Sequence, residues 1–191
     1  RQSQRPQPAV AHLERWAKLM KIRAATTSDV PTLIALNGIA HDAHVKAFPD
    51  LFRREVPPQM VADFFAEKLK SPASYYLVAE AEEPIGALRA NFLGLDESWH
   101  SIARRVCYVA GIVVAPAYRR RGVARALFEH LQRESDARGA TIELDVWDFN
   151  DEAKQFFTKL GFKPVMERMA LNPKEPDQTS EPTVPSGRGS P

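Results

Sequence analysis

A chain of 191 residues can bury one sizeable core and is short for two independent domains. Its 44% hydrophobic and 26% charged residues exclude wholesale disorder, and a formal net charge of +2 is too small to argue for nucleic acid or a membrane surface. The single cysteine, Cys107, excludes an internal disulfide and reads as a buried, inert thiol, which suits a reducing, cytoplasmic setting.

In chain order, residues 1–19 are rich in Gln, Pro and Arg and read as an N-terminal extension outside the core. They lack the apolar core of a secretion signal, and no apolar run in the chain approaches the roughly 20 residues that span a bilayer. After Met20 the alternation Ile22, Ala24 predicts a strand. Ser28 is placed to cap a helix with Pro31 in its first turn and Val30, Leu33, Ile34 and Asn37 at helical spacing. An irregular stretch, His41 to Val56, then leads to a second helix opened by Pro57 and Pro58 and running through Leu69. Such a long connection is expected to shape a site or a lid.

Tyr75 to Ala81 and Ile85 to Phe92, separated by Glu82, Glu83 and Pro84, predict a hairpin, and Val106 to Val114 another strand. Gly122 to Ala137 carries Val123, Ala126, Leu127 and Leu131 at helical spacing and stops at Gly139. Thr141 to Trp147 alternates as a strand, with Glu143 and Asp145 on one of its faces. Asn150 opens a short helix that Gly161 closes, and Val165 to Leu171 predicts a final strand. Residues 172–191, crowded with Pro, Ser, Thr and Glu, read as a disordered tail. The order β-α-α-β-β-β-α-β-α-β describes an α/β (α+β) domain over 20–171, a central sheet flanked by helices.

The stretch from Gly111 to Leu127 carries the chemistry. A strand ends near Pro116, a basic turn follows, and a helix begins around Gly122. Unpaired amides and the positive end of the helix dipole converge there, which makes an anion site. Gly122 lets a diphosphate approach the backbone, small Ala124 keeps the first turn clear, and Arg119, Arg120 and Arg121 add charge. Three arginines in a row are also compatible with a solvated turn or an RNA contact, but no second basic cluster with interleaved aromatics accompanies them. The P-loop and Rossmann glycine patterns are absent.

Arg119-Arg-Arg-Gly122-Val-Ala124 resembles the Arg/Gln-x-x-Gly-x-Gly/Ala loop of the GCN5-related N-acetyltransferases. Asn150 with Ala153-Lys-Gln-Phe-Phe-Thr-Lys-Leu-Gly-Phe162 is similar to that family's Asn-x-x-Ala-x-x-Phe-Tyr-x-Lys-x-Gly-Phe segment. The resemblance covers Met20 to Leu171. It implies a mixed, mostly antiparallel sheet splayed at the cofactor site, and acetyl-coenzyme A as co-substrate. Val113 and Val114 would then offer main-chain groups to the pantetheine arm, and Arg121, Gly122, Val123 and Ala124 would offer amides to the pyrophosphate. Asn150 and Lys154 would lie near the cofactor and Phe156 would line the thioester channel. Asn150 is equally a plain helix cap, Val113 and Val114 plain core, and Phe156 plain packing. The resemblance also suggests a homodimer.

Two departures from the family pattern stand out. Phe157 occupies the position of the usual acidic Tyr, leaving Tyr108, Tyr118 or water as substitutes, and Ala110 and Gly111 replace the usual strand carboxylate. For the base, Asp145 is the first candidate, with a structural hydrogen-bonding role as its alternative. His44 is a candidate proton relay, since imidazoles as a class titrate near neutrality, and His41 and His44 are candidates to line the acceptor pocket. Metal binding is not expected, because no third ligand is placed near them. The expected activity is direct acetyl transfer to a primary amine of a small molecule or peptide, with no nucleic acid or membrane partner. The rival is a non-catalytic regulatory module that holds coenzyme A.

Overall fold

In a computed structural model of the chain, which describes residues 20–170, the alternation after Met20 forms β1, Lys21–Ala24. The expectations for residues 1–19 and 172–191 lie outside the described residues. A single helical turn, Thr27–Asp29, follows β1; its cap is Thr26 rather than the expected Ser28, and Asp29 closes the capping box. Its Oδ2 accepts from the Thr26 amide at 2.7 Å, while Ser28 shares only a hydroxyl bond with Thr26. Arg23 grips the same carboxylate with two nitrogens, each at 2.8 Å, and reaches Glu80 with Nε at 2.6 Å. These bonds hold the Asp29 carboxyl at about 2, chiefly through Arg23. A carboxylate accepts two parallel N–H bonds from one guanidinium and is stabilised in its charged form by them.

Helix α1 then runs Val30–Ala47, longer than expected. Between Pro31 and Pro49 the only breaker is Gly38, and the alanines that follow it favour helix, so the chain leaves the helix only as Pro49 approaches. The irregular connection therefore shrinks to residues 48–57, and His41 and His44 sit on the last turns of α1. Helix α2 follows, Pro58–Lys70.

Three strands come next: β2, Ser74–Glu80; β3, Pro84–Leu95; and β4, Arg104–Val114. Helix α3, Val123–Ala137, returns the chain to β5, Thr141–Leu144. The five strands lie in sequence order, antiparallel except for the β4–β5 pair. Alternation places Leu77, Ala79, Leu88, Ala90, Cys107 and Val109 on one face, packed against Val123, Leu127 and Leu131 of α3. Tyr76, Val78 and Ala87 face the other way, against Leu33 and Leu36 of α1 and Phe65 of α2. Burial on both faces is why β2 and β3 read as nearly continuous apolar runs.

Packing divides the chain into two compact units, one up to Asn150 and one from Asp151. The second contains α4, Asp151–Lys159, with Asp151 and Glu152 at the positive end of its dipole and Lys159 at the negative end. Gly161 ends it at φ 95°, as Gly139 ends α3 at φ 60°. The strand expected over Val165 to Leu171 is not formed in its described part: residues 163–170 are irregular, with Val165 and Met169 at 94% and 87% exposure. Apolar alternation defines a face, but a strand exists only in a ladder with a partner, which the pattern does not supply. Among the described residues the order ends on a helix.

Candidate functional site

The parallel pairing of β4 with β5 runs from Val106 opposite Thr141 to Val109 opposite Leu144 and stops there. The strand expected to reach Trp147 ends at Leu144, so Asp145 lies just past it. β4 continues alone beside β3 to Val114, and its ladder with β3 shifts register at the same level: Ala90 pairs with Val109 and Arg89 with Gly111, leaving Ala110 as the extra residue. A bulge bends its strand and breaks the local pairing. Past Val109 no described strand pairs with β4 on its β5 side, which leaves a slot in the ladder beside residues 110–114, where Val113 and Val114 are half-buried.

Beyond Val114 the chain is tied down before it turns. The Ala115 amide donates to the Ile85 carbonyl at 2.9 Å, and Arg119 Nε returns to the Val114 carbonyl at 3.2 Å. Tyr118 Oη donates to Glu83 at 2.9 Å, a bond that raises its pKa, and Arg121 lies over the Tyr118 ring at 5.9 Å. Tyr118 thus braces the loop against the β2–β3 turn. Arg120 is left-handed at φ 59°, alone among the described non-glycine residues, and Gly122 follows at φ 83°. A left-handed L-residue costs about 1 kcal/mol or more, so the path of the loop is imposed by its anchors.

The first bond of α3 runs from the Ala126 amide to the Gly122 carbonyl at 2.9 Å. The amides of Val123, Ala124 and Arg125 therefore have no acceptor within the helix. Apart from its chain neighbours, nothing lies within 4 Å of where a Gly122 Cβ would be. Gly86, which the sequence reading passed over, matters more for packing: a Cβ there would meet the Val113 carbonyl at 3.0 Å and Val123 at 3.2 Å. Its bare α-carbon lets α3 begin close against the strand ends.

Just past β5, Asp145 accepts from Tyr108 Oη at 2.9 Å, while Glu143 is taken up by an ion pair with Arg104. His44 Nδ1 lies 2.6 Å from the Ala40 carbonyl, which can only accept, so that nitrogen carries the proton and the neutral ring keeps its lone pair on Nε2. The ring packs on Phe52, Trp147 and Phe149 at 5.0, 5.6 and 5.6 Å, and Phe48 closes the group through Trp147 and Phe149. His44 and the segment after β5 are thereby brought together around Trp147, two residues from Asp145. His41 Nε2 instead ties the connection to α1 through the Arg53 carbonyl at 2.8 Å. Sequence reading missed Trp147 and Phe149; the available signal was aromatic residues flanking Asp148 just before Asn150.

The remaining candidates divide between the two units. Asn150 closes the first, its amide donating to the Trp147 carbonyl at 2.9 Å. Lys154 and Phe156 belong to the second, where Lys154 lies 3.7 Å from Asp151 and Phe156 packs on Phe157. Phe157, at 7% exposure, is packed between Phe156 and Phe162. Cys107 is fully buried, and burial raises its pKa. A thiol so placed is a poor nucleophile. Among the described residues no group of three or more His, Cys, Asp or Glu is placed to hold a metal, and no helix is long and apolar enough to cross a membrane.

The model of a family described as "Acetyltransferase (GNAT) family" matches residues 40–162. Among solved structures, a tetramutant of the BH1408 protein from Bacillus halodurans is 28% identical, with TM-score 0.73, covering 80% of this chain and 99% of that one. The aminoglycoside N-acetyltransferase AAC(6')-Iy in complex with CoA is 21% identical, with TM-score 0.62, over 81% of this chain and 95% of that one. An aminoglycoside acetyltransferase from an uncultured soil metagenomic sample, in complex with sisomicin, is 19% identical, with TM-score 0.57, over 85% and 99%. The last two likenesses concern the fold.

Proposed function

Because this chain belongs to the GNAT acetyltransferase family, we propose that it moves an acetyl group from acetyl-coenzyme A to a primary amine in a ternary complex. The observation that carries this is the end of β4, which leaves β5 at Val109 and leads through left-handed Arg120 and Gly122 into a helix with unspent amides. The slot beside residues 110–114 offers main-chain groups of Val113 and Val114 to an extended pantetheine arm. The amides from Arg121 to Ala124 face a pyrophosphate, with Arg119 and Arg120 adding positive charge. Asn150, Lys154 and Phe156 are assigned to the cofactor by the family motif alone.

An amine with a pKa of about 10 reaches the site protonated and must lose that proton before it attacks the thioester carbonyl. Asp145 is the acceptor of that proton, and His44, with its lone pair on Nε2, relays it to solvent. Nitrogen forms the new bond to the acetyl carbon, the carbon–sulfur bond breaks, and the thiolate leaves with the electron pair. Phe157 offers no proton to the departing sulfur. Tyr108, already donating to Asp145, is the acid available in the first unit. Because Cys107 is buried in the α3-side core, transfer is direct, without an acetyl-enzyme.

Thiol release from acetyl-coenzyme A with a panel of amines, run beside calorimetry with coenzyme A, tests this. Release above the hydrolysis background is the expected result. Binding with no release on any amine would favour a module that only holds the cofactor, and absence of binding would remove the proposal altogether.

A further inference from the structure

Within the apolar run of β3 stands one arginine. Arg89 pairs with Tyr76 of β2 on one side and Gly111 of β4 on the other, so its side chain emerges on the α1/α2 face at the level of the bulge. The guanidinium lies 5.8 Å from the centre of the Phe65 ring and donates through Nη2 to the Ala110 carbonyl at 3.4 Å. It rests directly over Gly111, where a Cβ would come within 2.7 Å of Nη2. A side chain at position 111 would displace the guanidinium from this place.

Arg89 is half-buried, and burial pulls its pKa down from the ordinary guanidinium range, with the neighbouring Tyr76 opposing. Charges placed this way are usually neutralised by a carboxylate. Even the more exposed arginines of the sheet have acids, Arg23 in Asp29 and Glu80 and Arg104 in Glu143. Among the described residues no acid reaches Arg89, and one long bond to a carbonyl uses one of its five N–H donors. No fully buried side-chain nitrogen among those residues lacks a partner, so Nε and Nη1 keep some contact with solvent.

Resting on the acetyl-transfer proposal, we infer that Arg89 is an anchor for the acceptor: it receives an anionic oxygen group, carboxylate or phosphate, carried by the same molecule whose amine is acetylated. Guanidinium forks pair Nη2 with Nε or with Nη1, and Nη2 keeps a second N–H beyond the one given to Ala110, so Arg89 can offer a two-oxygen acid two parallel donors, a better match than any neutral group. Its place beside Ala110 and Gly111 sets that acid within one short molecule's reach of the slot in which the thioester is proposed to lie. The acceptor class is thus a small zwitterionic amine rather than a polycation.

The test uses matched pairs with the full chain: glycine against glycinamide, and O-phosphoethanolamine against ethanolamine, read by thiol release. The charged member of at least one pair is expected to give kcat/KM about tenfold or more above its neutral partner, as one charge-assisted hydrogen bond would. Arg89→Gln, which keeps a donor for the Ala110 carbonyl, is expected to erase that preference and leave coenzyme A affinity by calorimetry unchanged. The pair that responds tells carboxylate from phosphate. Independently of turnover, the Arg89 Nε–Hε resonance of the coenzyme A-bound protein is expected to shift with N-acetylglycine or N-acetyl-O-phosphoethanolamine and not with N-acetylglycinamide. Equal rates within both pairs, a uniform loss on all four amines in Arg89→Gln, or no shift with either acid would overturn the anchor. Failure of coenzyme A to bind would instead strike the acetyl-transfer proposal beneath it.

Discussion

Replacing Gly122 separates backbone strain, bulk and charge at the proposed phosphate loop. Its φ of 83° lies in the left-handed region, so Gly122→Ala is expected to lower stability by about 1 kcal/mol. Apart from its chain neighbours, no atom lies within 4 Å of the added Cβ, so no clash is added to that strain. Gly122→Gln and Gly122→Glu carry the same strain, project a longer side chain into the open space, and differ from each other by one negative charge. A unit charge about 5 Å from a phosphate charge interacts by about 1 kcal/mol in bulk water and about 3 kcal/mol at an effective dielectric of 20. Coenzyme A should therefore bind Gly122→Glu about fivefold to 150-fold more weakly than Gly122→Gln. Added salt should narrow that gap. Calorimetric titration measures the affinities, and thermal unfolding of the free proteins confirms that the three variants lose stability alike. Equal affinity of the Glu and Gln variants at low salt would show that no phosphate faces the start of α3.

Other expectations are structural and mechanistic. Asp29→Asn should cost about 2 kcal/mol at pH 7, from a carboxyl lowered from 3.8 to about 2 at 1.36 kcal/mol per unit. Because the folded value is depressed, this contribution is complete above about pH 4 and disappears as pH falls through about 2, which urea midpoints across that range would follow. Gly86→Ala should weaken coenzyme A binding as well as stability, since the new methyl presses on the Val113 carbonyl and Val123; unchanged calorimetry would show that the base of the loop gives way freely. Cys107→Ala should keep thiol release within about twofold while losing about 1 kcal/mol of stability. A hundredfold loss of activity in the folded variant would restore a covalent intermediate. Tyr108→Phe should reduce kcat about tenfold to a hundredfold with little change in stability, because the hydroxyl it removes is exposed; an unchanged kcat would dismiss Tyr108 as the acid.

Much of the fold was legible because its signals are local. Apolar spacing over Val123 to Leu131 and the glycines at 139 and 161 depend on one helix or turn at a time, and they formed where their spacing predicts. The same holds for β2 to β4, whose runs are buried on both faces. Where the outcome depended on a partner, sequence was a poor guide. The alternation continuing past Leu144 and that beginning at Val165 are the same kind of pattern as the strands that formed, yet neither is in a ladder. A ladder is a property of two segments, and its end is set by the divergence of the second.

What the sequence alone determined is the family, the loop from Arg119 to Ala124 and the lack of a hydroxyl at Phe157, because motifs are contiguous and residue types are read directly. Tertiary structure decided which of the candidate acids is spoken for. Glu143 went to Arg104, Asp145 to Tyr108, and Arg89, unremarkable in an apolar strand, emerged without a carboxylate over Gly111. Charge pairing joins residues as far apart in sequence as Arg104 and Glu143, so which charge is neutralised and which has no carboxylate beside it is settled only when the strands are laid side by side.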